Sequence, residues 1–529
     1  MDEPAAVTLA SLLDERADRY PERTAVLDGD RSLTYKLLRE RADELAAGLR
    51  DLGVEPGDSV AILMENRVEW VETMFAAHRI GATVVGVSTW SKPRELEYYV
   101  THSGADAIVA TASFAGTDFA SMLDDLVDGE LSHESTTPGS LNAPDAPNLD
   151  TVVLFGEEMP GAASYADLPA DPVGLESDPN DADDVALLLY TSGSTSKPKG
   201  VPLLHSGIIE NGYHIGERMH LTPADRVWLA SPLFWSYGSA NALAALTTHA
   251  GSLLLQAPFD PDVALDLIDK YEPTVYYGMT NMTRQLVEAD EFDPANLSFR
   301  TGTTIGPPEE VAYTMDELDI PLLCNVYGAT ETYGNCAVTD CTLPRDVRLQ
   351  TQGRPLPGQE IAIKDPETGK HLDQGAVGEI CVNGRITPGY HKNPEKNREA
   401  FDEEGYLHMG DLGRLDEDGR VQFRGRLKNV LKVGGINVSP MEIEERVLEH
   451  PDVDQAFVTG LDDPEKGTVV GLAVVPESGA TITEAAVREH CESLASYKRP
   501  SSVVVVNAVD LPETDTGKIK RNILTELFE

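Results

Sequence analysis

The sequence predicts an α/β fold: a large N-terminal domain of several subdomains on mostly parallel sheets, followed by a small α+β domain. Three observations carry this expectation. Helical and strand patterns alternate through the first hundred residues, the alternation resumes at Val185–Tyr190, and a compact pattern of different order begins after residues 424–435. At about 100–200 residues per domain, 529 residues hold three or four domain-sized units, or one large domain with a satellite. The expected division is 1–427 and 428–529.

Thr34 is the expected N-cap of a helix in which Leu37, Leu38, Ala42, Leu45, Leu49 and Leu52 recur at helical spacing, with Gly53 as the stop. Ala61–Met64 reads as a buried strand, Arg67–Ile80 as a helix closed by Gly81, and Thr83–Val87 as a strand. Such βαβ alternation implies parallel strands with helices on both faces. In residues 128–184 Pro, Asp, Ser and Gly accumulate and periodicity fades, which predicts a long surface insertion. In the C-terminal part, Ser439-Pro-Met-Glu442 is a capping box with Pro at the first helical position. Strands at Ala456–Leu461 and Gly471–Val475, a helix over Glu484–Leu494 and a strand at Ser502–Val506 follow.

Composition excludes several functions. The 42 Lys+Arg stand against 89 Asp+Glu, a formal charge of −47 spread along the chain. Such a surface repels nucleic-acid phosphates and anionic membrane faces, so neither is an expected partner. It reads as a solvated surface adapted to high salt, a halophilic expectation. Cys324, Cys336, Cys341, Cys381 and Cys491 form no CxxC pair or disulfide framework, and no neighbouring Cys/His pair completes a metal site around Cys336 and Cys341. Reduced thiols, no signal-peptide pattern after Met1, no apolar run near 18 residues and no C-terminal lipidation motif predict a cytoplasmic protein.

The chemistry begins after the strand ending at Tyr190. The run Thr191-Ser192-Gly193-Ser194-Thr195-Ser196-Lys197-Pro198-Lys199-Gly200 offers hydroxyls, backbone N–H groups and two lysines that can cradle a polyphosphate. No Walker A pattern can be laid over it, which disfavours P-loop enzymes. The run resembles the phosphate-binding signature of the adenylate-forming superfamily, which includes acyl-CoA synthetases, peptide-synthetase adenylation domains and luciferases. It departs at Ser196, where that family usually has Gly.

Further matches keep the family's order. Tyr327-Gly328-Ala329-Thr330-Glu331 is similar to the second core motif, in which Tyr stacks on adenine, Thr contacts a nucleotide phosphate and Glu helps hold Mg²⁺. A carboxylate suits a hard cation and an aromatic ring suits a purine face. Gly306 and Pro307 stand where the family has its adenine-side loop. Tyr406-Leu-His-Met-Gly-Asp411 resembles the ribose-binding motif, whose carboxylate accepts bonds from both hydroxyls. By the same resemblance Arg426 contacts ribose or phosphate, Lys428 is the hinge of a mobile C-terminal lid, and Lys518 in Thr516-Gly-Lys518 assists adenylation.

The resemblance therefore implies an AMP-forming carboxylic acid–CoA ligase acting through an acyl-adenylate, with ATP, CoA and Mg²⁺ and a fatty or aryl acid. A free-standing enzyme loading a carrier-protein thiol, or a luciferase-like oxidation, are the other outcomes it leaves open. Gly434, Gly435 and Ile436 resemble the segment beside CoA, and Lys466 and Lys498 match basic positions near its phosphates. Acyl-pocket candidates by family position are Trp235, Tyr237, Gly238, Tyr277 and Gly278. Trp235 stands where the family commonly has His, as a gate between acid and thiol.

Overall fold

The computed structural model describes residues 2–528 except 142, 174–177, 192–196, 430, 434–435, 439, 464–466, 495 and 513–518. The chain divides into two compact units, Met1–Ile361 with Val382–Leu407, and Ala362–Cys381 with His408–Glu529.

In the first unit the expected elements form where local chemistry starts and stops them. The Thr34 hydroxyl accepts from Leu37 N–H and caps the helix Tyr35–Asp51. Leu38, Ala42, Leu45 and Leu49 are buried, Leu37 faces solvent, and Leu52 lies at the C-cap. The helix Val68–Ile80 is buried on every face and ends at Gly81, whose φ of 91° is the left-handed conformation that lets the chain turn back. The strands Ser59–Leu63 and Thr83–Gly86 follow their helices in parallel register.

Two sheets result. Among the described residues one has nine strands in the order 354–355, 337–338, 322–327, 301–304, 275–277, 226–229, 252–255, 24–28 and 31–34. Its six central strands, from 322–327 to 24–28, are mutually parallel. The other has seven, in the order 199–204, 185–191, 83–86, 59–63, 107–111, 151–155 and 163–164, with only the 199–204 edge antiparallel. In sheets of this kind ligands bind beyond the carboxyl ends of the strands.

The expected surface insertion at 128–184 needs correction. Thr151–Phe155 is a parallel strand of the second sheet, with Val152, Val153 and Leu154 buried, and Leu131, Leu141 and Leu149 pack in the same core. A five-residue apolar run carries too little periodicity to stand out from the Pro- and Asp-rich sequence around it.

In the second unit the helix Pro440–Leu448 packs on a five-stranded sheet, Ile443 and Val447 meeting Val458, Leu472 and Val503. Its long strands are Val453–Asp463 and Gly467–Pro476, and its second helix, Glu484–His490, stops short of the expected Leu494 by passing into a 3₁₀ turn. Ser439, the expected cap, lies outside the described residues. A four-stranded sheet runs in the order 359–364, 378–384, 407–415, 421–426. All five cysteines are buried, and none forms a disulfide. Among the described residues no helix is long and apolar enough to cross a membrane.

Candidate functional site

The strand Val185–Thr191 returns antiparallel as Lys199–Leu204, with Thr191 opposite Lys199. The segment between them follows the carboxyl end of a strand, and Ser192, Gly193, Ser194, Thr195 and Ser196 lie outside the described residues. Cations flank its base. Lys197 Nζ lies 5.4 Å from the centre of the Tyr98 ring, and Lys199 Nζ lies 5.4 Å from that of Tyr390. Burial, and then Lys396, pull the Lys199 ammonium below its ordinary range.

Tyr327 ends the strand Leu322–Tyr327 and is buried. At Gly328 the chain doubles back so closely that a Cβ would lie 2.5 Å from Asn335 Cα and from Gly334 O, so glycine alone fits. Cys336 N–H then donates to Tyr327 O at 2.8 Å, while Thr330–Thr332 forms a 3₁₀ turn. This turn fixes Glu331 at two points. Its Oε1 accepts from the Tyr390 hydroxyl at 2.8 Å, and its carbonyl accepts from Thr387 N–H at 2.7 Å. Burial, and then Glu331, raise the Tyr390 phenol, so it stays a proton donor. Sequence reasoning missed Tyr390, which carries no motif.

The segment Pro232–Gly238 reaches the same turn. Ser236 Oγ lies 2.9 Å from Thr330 Oγ1. Trp235 N–H donates to Pro232 O at 3.1 Å, and a Cβ on Gly238 would lie 2.2 Å from that oxygen. Residues Tyr237–Leu243 then form a π-helical turn, a geometry common at functional sites. The Tyr237 hydroxyl lies 2.7 Å from Thr303 Oγ1, and its ring centre is 5.1 Å from that of Tyr277. Tyr277 is fully buried and donates to Asn241 Oδ1 at 2.7 Å. Burial raises both phenols and keeps them neutral. At Gly278 a Cβ would lie 2.2 Å from the Tyr276 hydroxyl, and Tyr276 packs in the core with Trp228 and Phe299. Gly306 and Pro307 follow the strand Thr301–Thr304, Pro307 capping the helix Pro308–Glu317.

In the second unit Asp411 and Arg426 face each other across an antiparallel pair of strands. Arg426 Nε lies 3.0 Å from Asp411 Oδ1, and the carboxylate is buried while the arginine is exposed. Lys428 lies in the 3₁₀ turn Leu427–Asn429 and Ile436 in the strand Ile436–Val438, and their side chains are outside the described residues. Lys498 is paired with Glu442. Gly434, Gly435, Lys466 and Lys518 are outside the described residues. The structure thus gathers Trp235, Tyr237, Tyr277 and Thr330 in one unit and Asp411 with Arg426 in the other.

A model of the AMP-binding enzyme family matches residues 13–391, and one of the AMP-binding enzyme C-terminal domain matches 442–518. The chain belongs to the AMP-binding enzyme family, among its adenylate-forming acyl-CoA ligases. It is 31% identical over 549 residues to the acyl-CoA ligase SID4 of Ajellomyces capsulatus, covering 98% of this chain and 91% of that protein. It is 30% identical over 559 residues to the mitochondrial medium-chain acyl-CoA ligase ACSF2 of Mus musculus, covering 99% and 88%. The crystal structure of ATP-bound MatB from Rhodopseudomonas palustris matches with a TM-score of 0.82 at 28% identity, covering 98% and 99%. ATP and CoA are substrates of these ligases. In this AMP-binding enzyme the hairpin, the Glu331 turn and the Trp235 segment fall within the first matched region, and Lys466, Lys498 and Lys518 fall within the second.

Proposed function

We propose that the acid taken by this AMP-forming acid–CoA ligase is a monocarboxylic acid with a hydrocarbon body, fatty or aryl. One observation supports the choice: the hydrogen-bond partners of Tyr237 and Tyr277 are uncharged, Thr303 and Asn241. A second carboxylate held there would need a cation to offset its desolvation, whereas a hydrocarbon needs only apolar surface. The medium-chain preference in the name of the Mus musculus relative agrees with this reading.

In this reading ATP binds with Mg²⁺, whose demand for hard oxygen ligands fits the half-buried Glu331 carboxylate. The ion would offset polyphosphate charge. Residues Thr191–Lys197 cradle the phosphates, Thr330 contacts the nucleotide phosphate, Tyr327 with Gly328, Ala329, Gly306 and Pro307 borders the adenine, and Asp411 with Arg426 holds the ribose. The acid's carboxylate oxygen attacks the α-phosphorus, the bond to pyrophosphate breaks, and Lys518 offsets the charge that develops. The CoA sulfur then attacks the acyl carbon, and AMP leaves.

The two steps need different faces of the small domain, so residues 428–529 turn about Lys428 between them. Gly434, Gly435, Ile436, Lys466 and Lys498 then border CoA, with Lys498 exchanging Glu442 for a CoA phosphate. Trp235 gates the site and keeps water from the adenylate. The charge of −47 supports work in a salt-rich cytoplasm. Screening acetate, C4–C12 fatty acids, aryl acids and oxalate for CoA-dependent AMP release tests the acid class. A preference for oxalate or another dicarboxylate overturns it.

A further inference from the structure

The chain has four tryptophans. Trp70 and Trp228 are fully buried, whereas Trp90 is 54% exposed and Trp235 is 41% exposed. The two exposed indoles touch: their ring centres are 4.9 Å apart and their planes lie at 79°, edge to face. Phe234 closes the group, 5.7 Å from Trp90 and 5.8 Å from Trp235. Exposed tryptophans are unusual, and two that meet edge to face from separate turns call for a reason.

Their seats differ in origin. Trp90 follows the strand Thr83–Gly86 of the seven-stranded sheet, and Trp235 follows Arg226–Leu229 of the nine-stranded sheet. Gly86 lets the segments meet, since a Cβ there would lie 3.2 Å from Phe234 O and 2.8 Å from Leu189 Cδ2. Trp90 sits in a rigid turn. Its N–H donates to Ser88 Oγ at 3.1 Å, Ser91 N–H donates to Ser88 O at 3.1 Å, and Ser91 Oγ donates to the same carbonyl at 2.6 Å. The helix Pro93–Ser103 follows at once. Trp90 is thus a fixed surface against which Trp235 rests.

We propose that Trp90 is a positioning residue that latches Trp235: its indole holds the gate in the observed rotamer and so determines how well the acyl-adenylate is shielded from water. The proposal rests on the reading of Trp235 as a gate. An aromatic pair of this geometry shifts a rotamer population by about two- to twelvefold, enough to change the partition between hydrolysis and thiolysis without altering the reacting groups. Loss of the latch leaves adenylation intact and lets water in.

The test uses the full-length protein with ATP and an accepted acid. The ratio of thioester formed to pyrophosphate released is measured for wild type, Trp90→Ala, Trp90→Phe, Trp235→Ala and the Trp90→Ala/Trp235→Ala double variant. The expected result is a ratio near one for wild type and Trp90→Phe, a fall of about two- to tenfold for either alanine variant, and no further fall in the double variant. Acrylamide quenching of tryptophan emission, which reads only the two exposed indoles, should fall when adenylate forms in wild type and Trp90→Phe but not in Trp90→Ala. A wild-type ratio and quenching response in Trp90→Ala, with Trp235→Ala altered, overturns the latch and leaves the gate standing. Additive losses in the double variant also overturn it. An unaltered ratio in Trp235→Ala removes the gate and the latch together. Wild-type pyrophosphate release without thioester contradicts the ligase reading, and the quenching comparison still decides whether Trp90 holds Trp235.

Discussion

The Ser236 hydroxyl lies 2.9 Å from the Thr330 hydroxyl, joining the segment that bears Trp235 to the turn that bears Glu331. Strand 226–229 delivers the first and strand 322–327 the second, so one hydrogen bond joins the segment proposed to line the acyl pocket to the turn proposed to contact the nucleotide. Ser236→Ala should lower the rate of ATP–pyrophosphate exchange by about two- to twelvefold, the worth of one net hydrogen bond. Its unfolding midpoint should move by no more than about 4 °C, since the change is small for a chain of this size. An exchange rate equal to wild type contradicts the coupling.

Lys518→Ala and Lys428→Pro should fail in opposite halves of the reaction. Removing Lys518 should slow adenylate formation by about 10²–10³-fold, the scale for one positioned donor at a developing charge, and leave thioester formation from supplied acyl-adenylate nearly unchanged. Proline at 428 fixes φ and removes a donor, so adenylation should survive while thioester formation collapses. Rapid-quench measurement of each half-reaction decides. Equal losses in both halves refute the division of labour.

His205 and His78 predict an acid limit to stability. Both are fully buried, their ring centres are 4.8 Å apart, and His205 Nδ1 accepts from Leu9 N–H at 3.1 Å. Burial pushes the His205 imidazole down to about 4, against the opposing pull of Asp178 and Asp184, and depresses His78 as well. The folded state therefore favours neutral imidazole. Its contribution is complete above the unfolded value near 6.5 and is lost as pH falls towards 4, approaching about 3 kcal/mol for His205. Urea unfolding at pH 7 and pH 4.5 should show His205→Gln losing less stability than wild type over that interval. Equal losses would mean that His205 is not the group that titrates.

Salt should stabilise the protein. With a formal charge of −47 and screening lengths that fall from about 10 Å at 0.1 M to about 3 Å at 1 M, self-repulsion shrinks as KCl is added. The thermal midpoint should rise between 0.1 and 3 M KCl. A midpoint indifferent to KCl argues for an ordinary acidic enzyme.

Much of the fold was legible because its signals are local. Thr34, Gly53 and Gly81 mark helix ends within a few residues of the apolar pattern they bound, and the two glycines supply the positive φ that a stop requires. The motif residues were named by resemblance, and of these Asp411 and Arg426 lie opposite each other on adjacent strands. Contacts made across long separations left no such mark. Tyr390 reaches Glu331 over 59 residues, and Trp90 meets Trp235 from segments that follow strands of two different sheets. Cys341 is similar: the sequence sets Asp340 beside it but no histidine, and only the fold brings His220 to the pair, with candidate ligand atoms within 4.8 Å of one another.

The account stands or falls on the products formed from the best fatty or aryl acid of the screen by the purified enzyme with Mg–ATP and CoA in high KCl. AMP, pyrophosphate and acyl-CoA should appear in equal amounts, all three should require the acid, and oxalate should not replace it. Pyrophosphate and AMP without thioester, or thioester formed from oxalate but from no fatty or aryl acid, would contradict the account.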